Sequence, residues 1–593
     1  MAESTPQNDT SAEKIPAGCM PPWDVGELPE PPAISWSPRG VLGPGLLMAG
    51  AAIGGGEWLT GPAITAKYGG TIMWIALLSI LLQACYNLEV MRYTLYSGEP
   101  ILTGCFRTRP GPIFWTVAYL FLDFGAIWPY LSANAAVPLT AAFMGHIPGA
   151  ALDIAGEAIP LAVQQHELDI KRWVSYGIFC SVFIPLIFGG KVYNSMEKVM
   201  TAKIILVLGY LTFVGVVYVA PETWYKVFSG FIGSPAIRDG SFSFQWLPQL
   251  KPGETMDWAL VAAFAAIAGA GGLSNTAFSA YCRDKGWGMG PLVGALPSAV
   301  GGHTIQLSHV GKVFRVTADS LGRWFGWLRV LRRDQWPIWI VGCIFGMAIP
   351  SLVSLQFIQK LGREVKGDEL AAVTAKLMSE EHGRVFWWLT LLCGFVVLAP
   401  SQVSSMDGLI RRWTDIIWTG LPAVRKLHGN QVKLVYYGLL SAYWFFGLGV
   451  LVVIPDPLEM VKIATIIYNY ALGFSAMHTL VVNCTLLPPA LRPGLRMRAA
   501  LVAATVFFTL VSGIATWDYA KKKIEAGRKA AAKTTATTAA AAGPRCSFSA
   551  IALDCRTFSV ASDGPILHGW SSVRNGFRDT NHGIPHVIQR RTA

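Results

Sequence analysis

Apolar and polar positions along this chain alternate on the scale of whole helices rather than of single residues. From Val41 onward, runs of about 20 apolar residues recur between short polar or basic loops, and a helix of that length crosses a hydrocarbon core of about 30 Å. We read about eleven such spans, at 41–67, 71–96, 112–144, 173–190, 197–219, 256–282, 336–358, 384–407, 431–454, 458–483 and 497–517. They predict an all-α integral membrane protein whose membrane domain covers residues 40–517. Residues 1–39 are polar, acidic and Pro-rich. They lack the basic start and short apolar core of a signal peptide, and read as a disordered cytoplasmic tail. Residues 518–593 read as a second, basic, disordered tail, Ala/Thr-rich after 530 and then irregular. The segment 290–335 is long, basic and Trp-rich, the pattern of an amphipathic helix on the inner membrane surface.

Composition narrows the function classes. Only 14% of residues are charged and 52% are hydrophobic, against about 25% charged in soluble domains. A soluble multi-domain enzyme is excluded. The net charge of +12 does not point to nucleic acid. Twelve Lys/Arg against four acids lie beyond residue 520, and much of the remainder sits in loops, where positive charge sets orientation. That charge bias places the N-terminus in the cytoplasm, in a cell (plasma or inner) membrane; the odd span count then leaves the basic tail outside. The ten cysteines are scattered without a C-x-x-C pair, and read as small core residues rather than disulfides or a zinc site.

Two spans are interrupted in the same manner. Span one carries Gly54, Gly55, Gly56 and Glu57 near its middle, and span six carries Gly269, Gly271, Gly272, Ser274 and Asn275. Each Gly costs a helix about 1 kcal/mol relative to Ala, and unwound backbone at membrane depth is tolerated only where it is buried or lines a cavity. Close helix packing is the plainer account of either glycine run alone. Breaks in spans one and six together are what a five-plus-five inverted repeat with discontinuous helices one and six would produce, and they point to a transporter's midplane binding site. We therefore take Gly54, Glu57, Gly271, Gly272, Ser274 and Asn275 as the candidate substrate or ion site, with Glu57 its metal-binding carboxylate. An acid at that depth is a functional candidate by default.

Asp123 in span three is a second such acid, read as a proton-path residue or a helix–helix hydrogen-bond partner. Glu89 and Arg92 are spaced to pair with each other. Lys203 and Asp407 read as snorkelling or capping residues, and Asn469, His478 and Asn483 as interhelical hydrogen-bond partners, with His478 also a proton-path candidate. No H-E-x-x-H, Walker loop or G-x-S-x-G in a strand–helix setting occurs. The chain reads as a non-enzyme without a resident cofactor, and uphill transport would draw on an ion gradient. The expected partners are the lipid bilayer and a small cation or solute, with no nucleic acid.

Span one resembles the opening helix of the natural resistance-associated macrophage protein (Nramp) divalent-metal transporters. Gly43-Pro44-Gly45 matches their G-P-G, and Gly54-Gly55-Gly56-Glu57 falls on their D-P-G-N. Span six is similar to their M-P-H-N helix, which falls on Gly272-Leu273-Ser274-Asn275. Tyr96-Ser97-Gly98 and Leu486-Leu487-Pro488 fit the same scheme. The resemblance implies the five-plus-five inverted-repeat fold and a secondary active transporter of divalent cations working by alternating access, with protons a candidate coupling ion. The metal-site motif departs from the family: its Asp corresponds to Gly54, its Asn to Glu57, its Met to Gly272 and its His to Ser274. Losing the thioether and keeping a carboxylate should favour Mg²⁺, Ca²⁺ or Mn²⁺ over softer metals. A small organic solute such as an amino acid, carried with Na⁺ or H⁺ on the same fold, is the second reading. A sensor that has lost transport is the third.

Overall fold

The computed structural model describes residues 19–34, 43–52, 54–151, 157–187, 192–238, 241–250, 252–294, 310–358, 370–428, 431–454 and 457–541. It divides into two units, Met1–Ala526 and Gly527–Ala593. In the first unit the helices are α1 (Pro44–Ala52), α2 (Gly55–Tyr68), α3 (Met73–Ser97), α4 (Ile101–Phe106), α5 (Pro112–Leu122), α6 (Tyr130–Met144), α7 (Leu161–Ser181), α8 (Phe183–Ile187), α9 (Val192–Tyr218) and α10 (Pro221–Gly230). They continue as α11 (Trp258–Ile267), α12 (Ala277–Asp284), α13 (Ala318–Arg333), α14 (Val341–Phe357), α15 (Leu370–His382), α16 (Val385–Gly420), α17 (Val432–Val453) and α18 (Pro457–Thr485). The last, α19 (Leu495–Ala541), carries the chain into the second unit.

All eleven predicted spans fall on these helices, and among the described residues eight helices are long and apolar enough to cross a membrane. Of the other three, span one is interrupted, 173–190 falls on α7 and α8, and 197–219 falls on α9, whose apolar stretch is Ile205–Tyr218.

The interruptions shape the centre of the bundle. Span one turns at Gly54 between α1 and α2. Span six starts at Asp257, whose carboxylate caps α11 by accepting the Leu260 N–H at 3.2 Å. It leaves helical geometry after Ile267, makes a 3₁₀ turn at Gly272–Thr276 and resumes as α12. Gly271 and Gly272 have φ of 75° and 57°, a left-handed pair that glycine adopts without steric cost. α11 packs on α2 while α12 packs on α1, so the half-helices of spans one and six lie head to tail and bring the two breaks to one level. Span three, expected to be continuous over 112–144, is interrupted too. A 3₁₀ turn, Asp123–Ile127, separates α5 from α6, where Gly125 and Pro129 weaken the helix. It packs against the span-six turn and against α18.

Three further expectations are corrected. Residues 19–34 of the predicted tail are docked rather than loose; the remainder of 1–39 lies outside the described residues. Strand β1 (Asp24–Gly26) pairs in parallel with a strand at Lys312–Phe314. Trp23 Nε1 donates to Glu99 at 3.1 Å, Arg107 to the Pro21 carbonyl at 2.6 Å, and Trp327 Nε1 to the Pro29 carbonyl at 2.9 Å. Prolines leave no helix to absorb those carbonyls, so side-chain donors take them. The segment 290–335 does hold an amphipathic helix, α13, but Trp324, Trp327 and Leu331 on its apolar face are buried within the protein. And α19 does not end with the apolar pattern near 517: it runs on to Ala541, while 542–593 lie outside the described residues.

Candidate functional site

The glycine break in span six frees backbone groups in the middle of the bundle, and span two meets them with one amide. The Gln83 side-chain oxygen accepts the N–H of Ala270 at 3.1 Å and of Gly271 at 3.4 Å, and Asn275 Nδ2 at 3.1 Å. Its Nε2 donates to Ser79 at 3.0 Å, and Ser79 donates to the Ala265 carbonyl at 2.5 Å. Gly269 belongs here because a Cβ would lie 2.7 Å from the same Gln83 oxygen. The N–H groups of Ala270 and Gly271 are thus taken, and that of Gly269 donates to the Ile267 carbonyl at 2.6 Å, while those of Gly272 and Leu273 have no partner among the described residues. The carbonyls of Ala268, Gly269 and Ala270 accept no hydrogen bond among the described residues. Asn275 Oδ1 is buried without a partner. The Ala268–Ala270 side of the break, with its donors taken and its carbonyls free, is electronegative.

The polar chain continues toward span one. Asn275 Nδ2 also donates to Asn87 at 2.8 Å, Asn87 to Gln335 at 3.1 Å and Gln335 to Asp334 at 3.0 Å. Asp334 accepts the Gly45 N–H at the start of α1 at 2.8 Å. A Cβ on Gly45 would lie 2.7 Å from that carboxylate oxygen, which explains the second glycine of Gly43-Pro44-Gly45.

Gly271, Gly272, Ser274 and Asn275 are therefore together by sequence, and half-helix packing brings Gly54 to their level. Glu57 sits in the first turn of α2; its side chain lies outside the described residues. Among the described residues no group of three or more His, Cys, Asp or Glu could hold a metal ion.

Asp123 stands in the span-three turn, 1% exposed. It accepts Arg412 Nε at 2.7 Å, Arg412 Nη2 at 2.9 Å and Trp413 Nε1 at 2.8 Å. This bidentate partner 289 residues away was invisible to sequence periodicity. Arg412 also lines a cleft together with Thr276 and Ala277, at the C-terminal end of the break, and with Asp284 and Asp415.

The remaining intramembrane polar residues have structural partners. Glu89 binds Arg92 at 2.9 Å and Asn483 at 2.8 Å, and Asn469 donates to the Ala262 carbonyl at 2.9 Å. His478 has both ring nitrogens engaged, by Tyr119 and Thr108, each at 2.8 Å. Lys203 does not snorkel: it is 2% exposed and donates to Ser401 at 2.6 Å. Asp407 binds Arg411 at 2.8 Å.

No protein-family model matches the sequence, and no curated protein matches it. Solved structures of an Eremococcus coleocola manganese transporter do resemble it. A complex of that transporter with an aromatic bis-isothiourea substituted compound is 14% identical, covers 84% of this chain and 90% of its own, and has a TM-score of 0.50. A His-to-Ala mutant of it is likewise 14% identical, with 83% and 89% covered and a TM-score of 0.50. The fold is of the Nramp transporter type. At this identity the likeness speaks for the fold alone. In this chain the span-six break combines two left-handed glycines, the Gln83 amide on the N–H groups of Ala270 and Gly271, and the polar residues Ser274 and Asn275.

Proposed function

We propose that the chain is an Nramp-like secondary active transporter that moves a divalent metal cation across the membrane by alternating access, with protons as the coupling ion. The observation that carries this reading is the polarity of the span-six break. Gln83 takes the N–H groups of Ala270 and Gly271, while the carbonyls of Ala268–Ala270 and Asn275 Oδ1 stay available. Free oxygen acceptors favour a cation, and oxygen-only sites suit Mg²⁺, Mn²⁺ or Ca²⁺. A carboxylate-bearing solute would use free N–H groups instead, which here are those of Gly272 and Leu273, fewer than the free oxygens.

In this reading Gly54, Glu57, Gly271, Gly272, Ser274 and Asn275 form the site, and Glu57 supplies the charge that balances the metal. The manganese transporters of the same fold support the substrate class. Asp123 is the proton-path carboxylate. A proton arriving there would release Arg412, which lines the cleft beside the break, and would so tie protonation to the charge along the cation's route. The N-terminus is cytoplasmic, which makes that cleft, with Asp284 and Asp415 in its lining, the inner vestibule.

The test is thermal stabilisation of the purified full chain by Mg²⁺, Mn²⁺, Ca²⁺, Na⁺ and amino acids, repeated with Glu57→Gln. A ligand at 100 times its Kd adds about 2.7 kcal/mol. A shift with a divalent ion that Glu57→Gln removes is the expected result, to be followed by flux of that ion in liposomes. Stabilisation by an amino acid or Na⁺ alone would replace the cation reading with that of a solute symporter.

A further inference from the structure

Span ten places one side chain between two of the interruptions. Tyr468 on α18 is only partly buried although it sits among the core helices. A Cβ at Gly272 would lie 2.5, 3.0 and 3.1 Å from its ring atoms Cδ1, Cγ and Cε1, and one at Gly271 would lie 3.5 Å from Cδ2. A Cβ at Gly125 in the span-three turn would lie 3.0 Å from the same Cδ1 and 2.7 Å from the Ala464 carbonyl. The ring thus occupies the volume that side chains at 125 and 272 would take. At Gly272 a left-handed φ already favours glycine, but Gly125 has no positive φ, so space alone accounts for it. The two glycines and the tyrosine fit as one unit. Beyond the ring, Tyr468 lies within electrostatic reach of Asp123 and Arg412.

We propose that Tyr468 is the specificity-determining side chain of the cation site: a rigid wall, wedged between the 3₁₀ turns of spans three and six, that fixes the spacing of the oxygen ligands at the span-six break. The proposal rests on the cation reading above. Discrimination among hard divalent cations depends on cavity size, ligand number and rigidity, since Mg²⁺ takes oxygens at about 2.0–2.1 Å and Ca²⁺ at about 2.3–2.6 Å. Glycines at 271 and 272 make the break intrinsically pliable. A flat ring with few rotamers, packed against both turns, takes that freedom away. The effect comes from the ring, and the hydroxyl is dispensable to it.

The experiment compares Kd values for Mg²⁺, Mn²⁺ and Ca²⁺ in the full-length protein, by titration calorimetry or thermal shift, for the wild type, Tyr468→Phe and Tyr468→Leu. Tyr468→Phe should keep the wild-type ratios. Tyr468→Leu should still bind divalent ions but lose about tenfold in the ratio between its preferred small ion and Ca²⁺, equivalent to about 1.4 kcal/mol. Tyr468→Ala provides a second truncation if Tyr468→Leu does not fold. As an independent check, Gly272→Ala should weaken binding, and adding Tyr468→Leu should restore part of it by vacating the contested space. Truncated variants that bind with wild-type ratios would overturn the proposal and leave the cation site standing. A wild type that no divalent ion stabilises would overturn the cation reading itself, a result separable from the first.

Discussion

Arg412 and Asp123 are the charge pair on which the middle of the bundle depends. Removing one member of a buried pair strands the other charge and costs about 3–5 kcal/mol. Arg412→Ala and Asp123→Asn are therefore both expected to lower the unfolding temperature in detergent, the first by stranding the Asp123 carboxylate and the second by stranding the Arg412 guanidinium. If Asp123 carries the proton, Asp123→Asn should abolish proton-driven uptake while sparing metal-for-metal exchange in liposomes. Gln83 gives a sharper test of how the break is held. Gln83→Leu leaves the N–H groups of Ala270 and Gly271 unpaired, at about 1–3 kcal/mol for each buried group, whereas Gln83→Glu keeps the acceptor. The leucine variant should be the less stable of the two by thermal unfolding. None of these partnerships was legible beforehand. Span periodicity showed that Asp123 and Asn275 were polar residues inside apolar helices, but not that Arg412 and Gln83 would meet them.

At the scale of elements, the ends of the broken helices are pinned by side chains from other spans. Asp334 caps α1 through Gly45, so Gly45→Ala should destabilise the protein by about 1–3 kcal/mol, the usual cost of overpacking. At the other end of the bundle Asp257 caps α11 and pairs with Lys462 at 2.9 Å and Lys522 at 3.8 Å, while its N–H donates to Tyr68 at the end of α2. Burial opposes the charge on Asp257, but the two lysines outweigh it and hold the carboxyl below its ordinary value. A carboxyl lowered in the folded state stabilises the protein above its unfolded pKa of about 3.9 and loses that contribution as the pH falls through the lowered folded value. The Asp257 contribution should thus be constant from neutral pH down to about 5 and vanish only in stronger acid. The difference in unfolding temperature between wild type and Asp257→Asn, followed against pH, checks it. The breaks in spans one and six were readable because runs of glycine are locally unfit for helix. The break in span three was not, because one glycine and one proline within an apolar run are compatible with a continuous membrane helix.

For the whole molecule, the docked N-terminal segment ties together stretches of chain far apart in sequence. Its Pro21, Leu28 and Pro29 carbonyls bind Arg107, Arg323 and Trp327, and Trp23 stacks under the Arg107 guanidinium at 4.6 Å. Deleting residues 1–34 should leave Arg107, Arg323 and Trp327 without these carbonyl partners and lower the unfolding temperature in detergent. The amino-acid sequence by itself determined what depends on neighbours along the chain: the membrane class, the placement of the helices, and the two glycine interruptions that mark the centre. Composition and short-range periodicity carry that information because a helix crossing lipid must be apolar for about 20 residues and must satisfy its own backbone. Only the tertiary structure decided that Arg412 neutralises Asp123, that Gln83 takes N–H groups of the broken helix, that Tyr468 fills the space two glycines vacate, and that a proline-rich tail is docked. Each of these joins residues that the chain separates by tens to hundreds of positions, and a hydrogen bond or an ion pair leaves no period in the sequence to announce its partner.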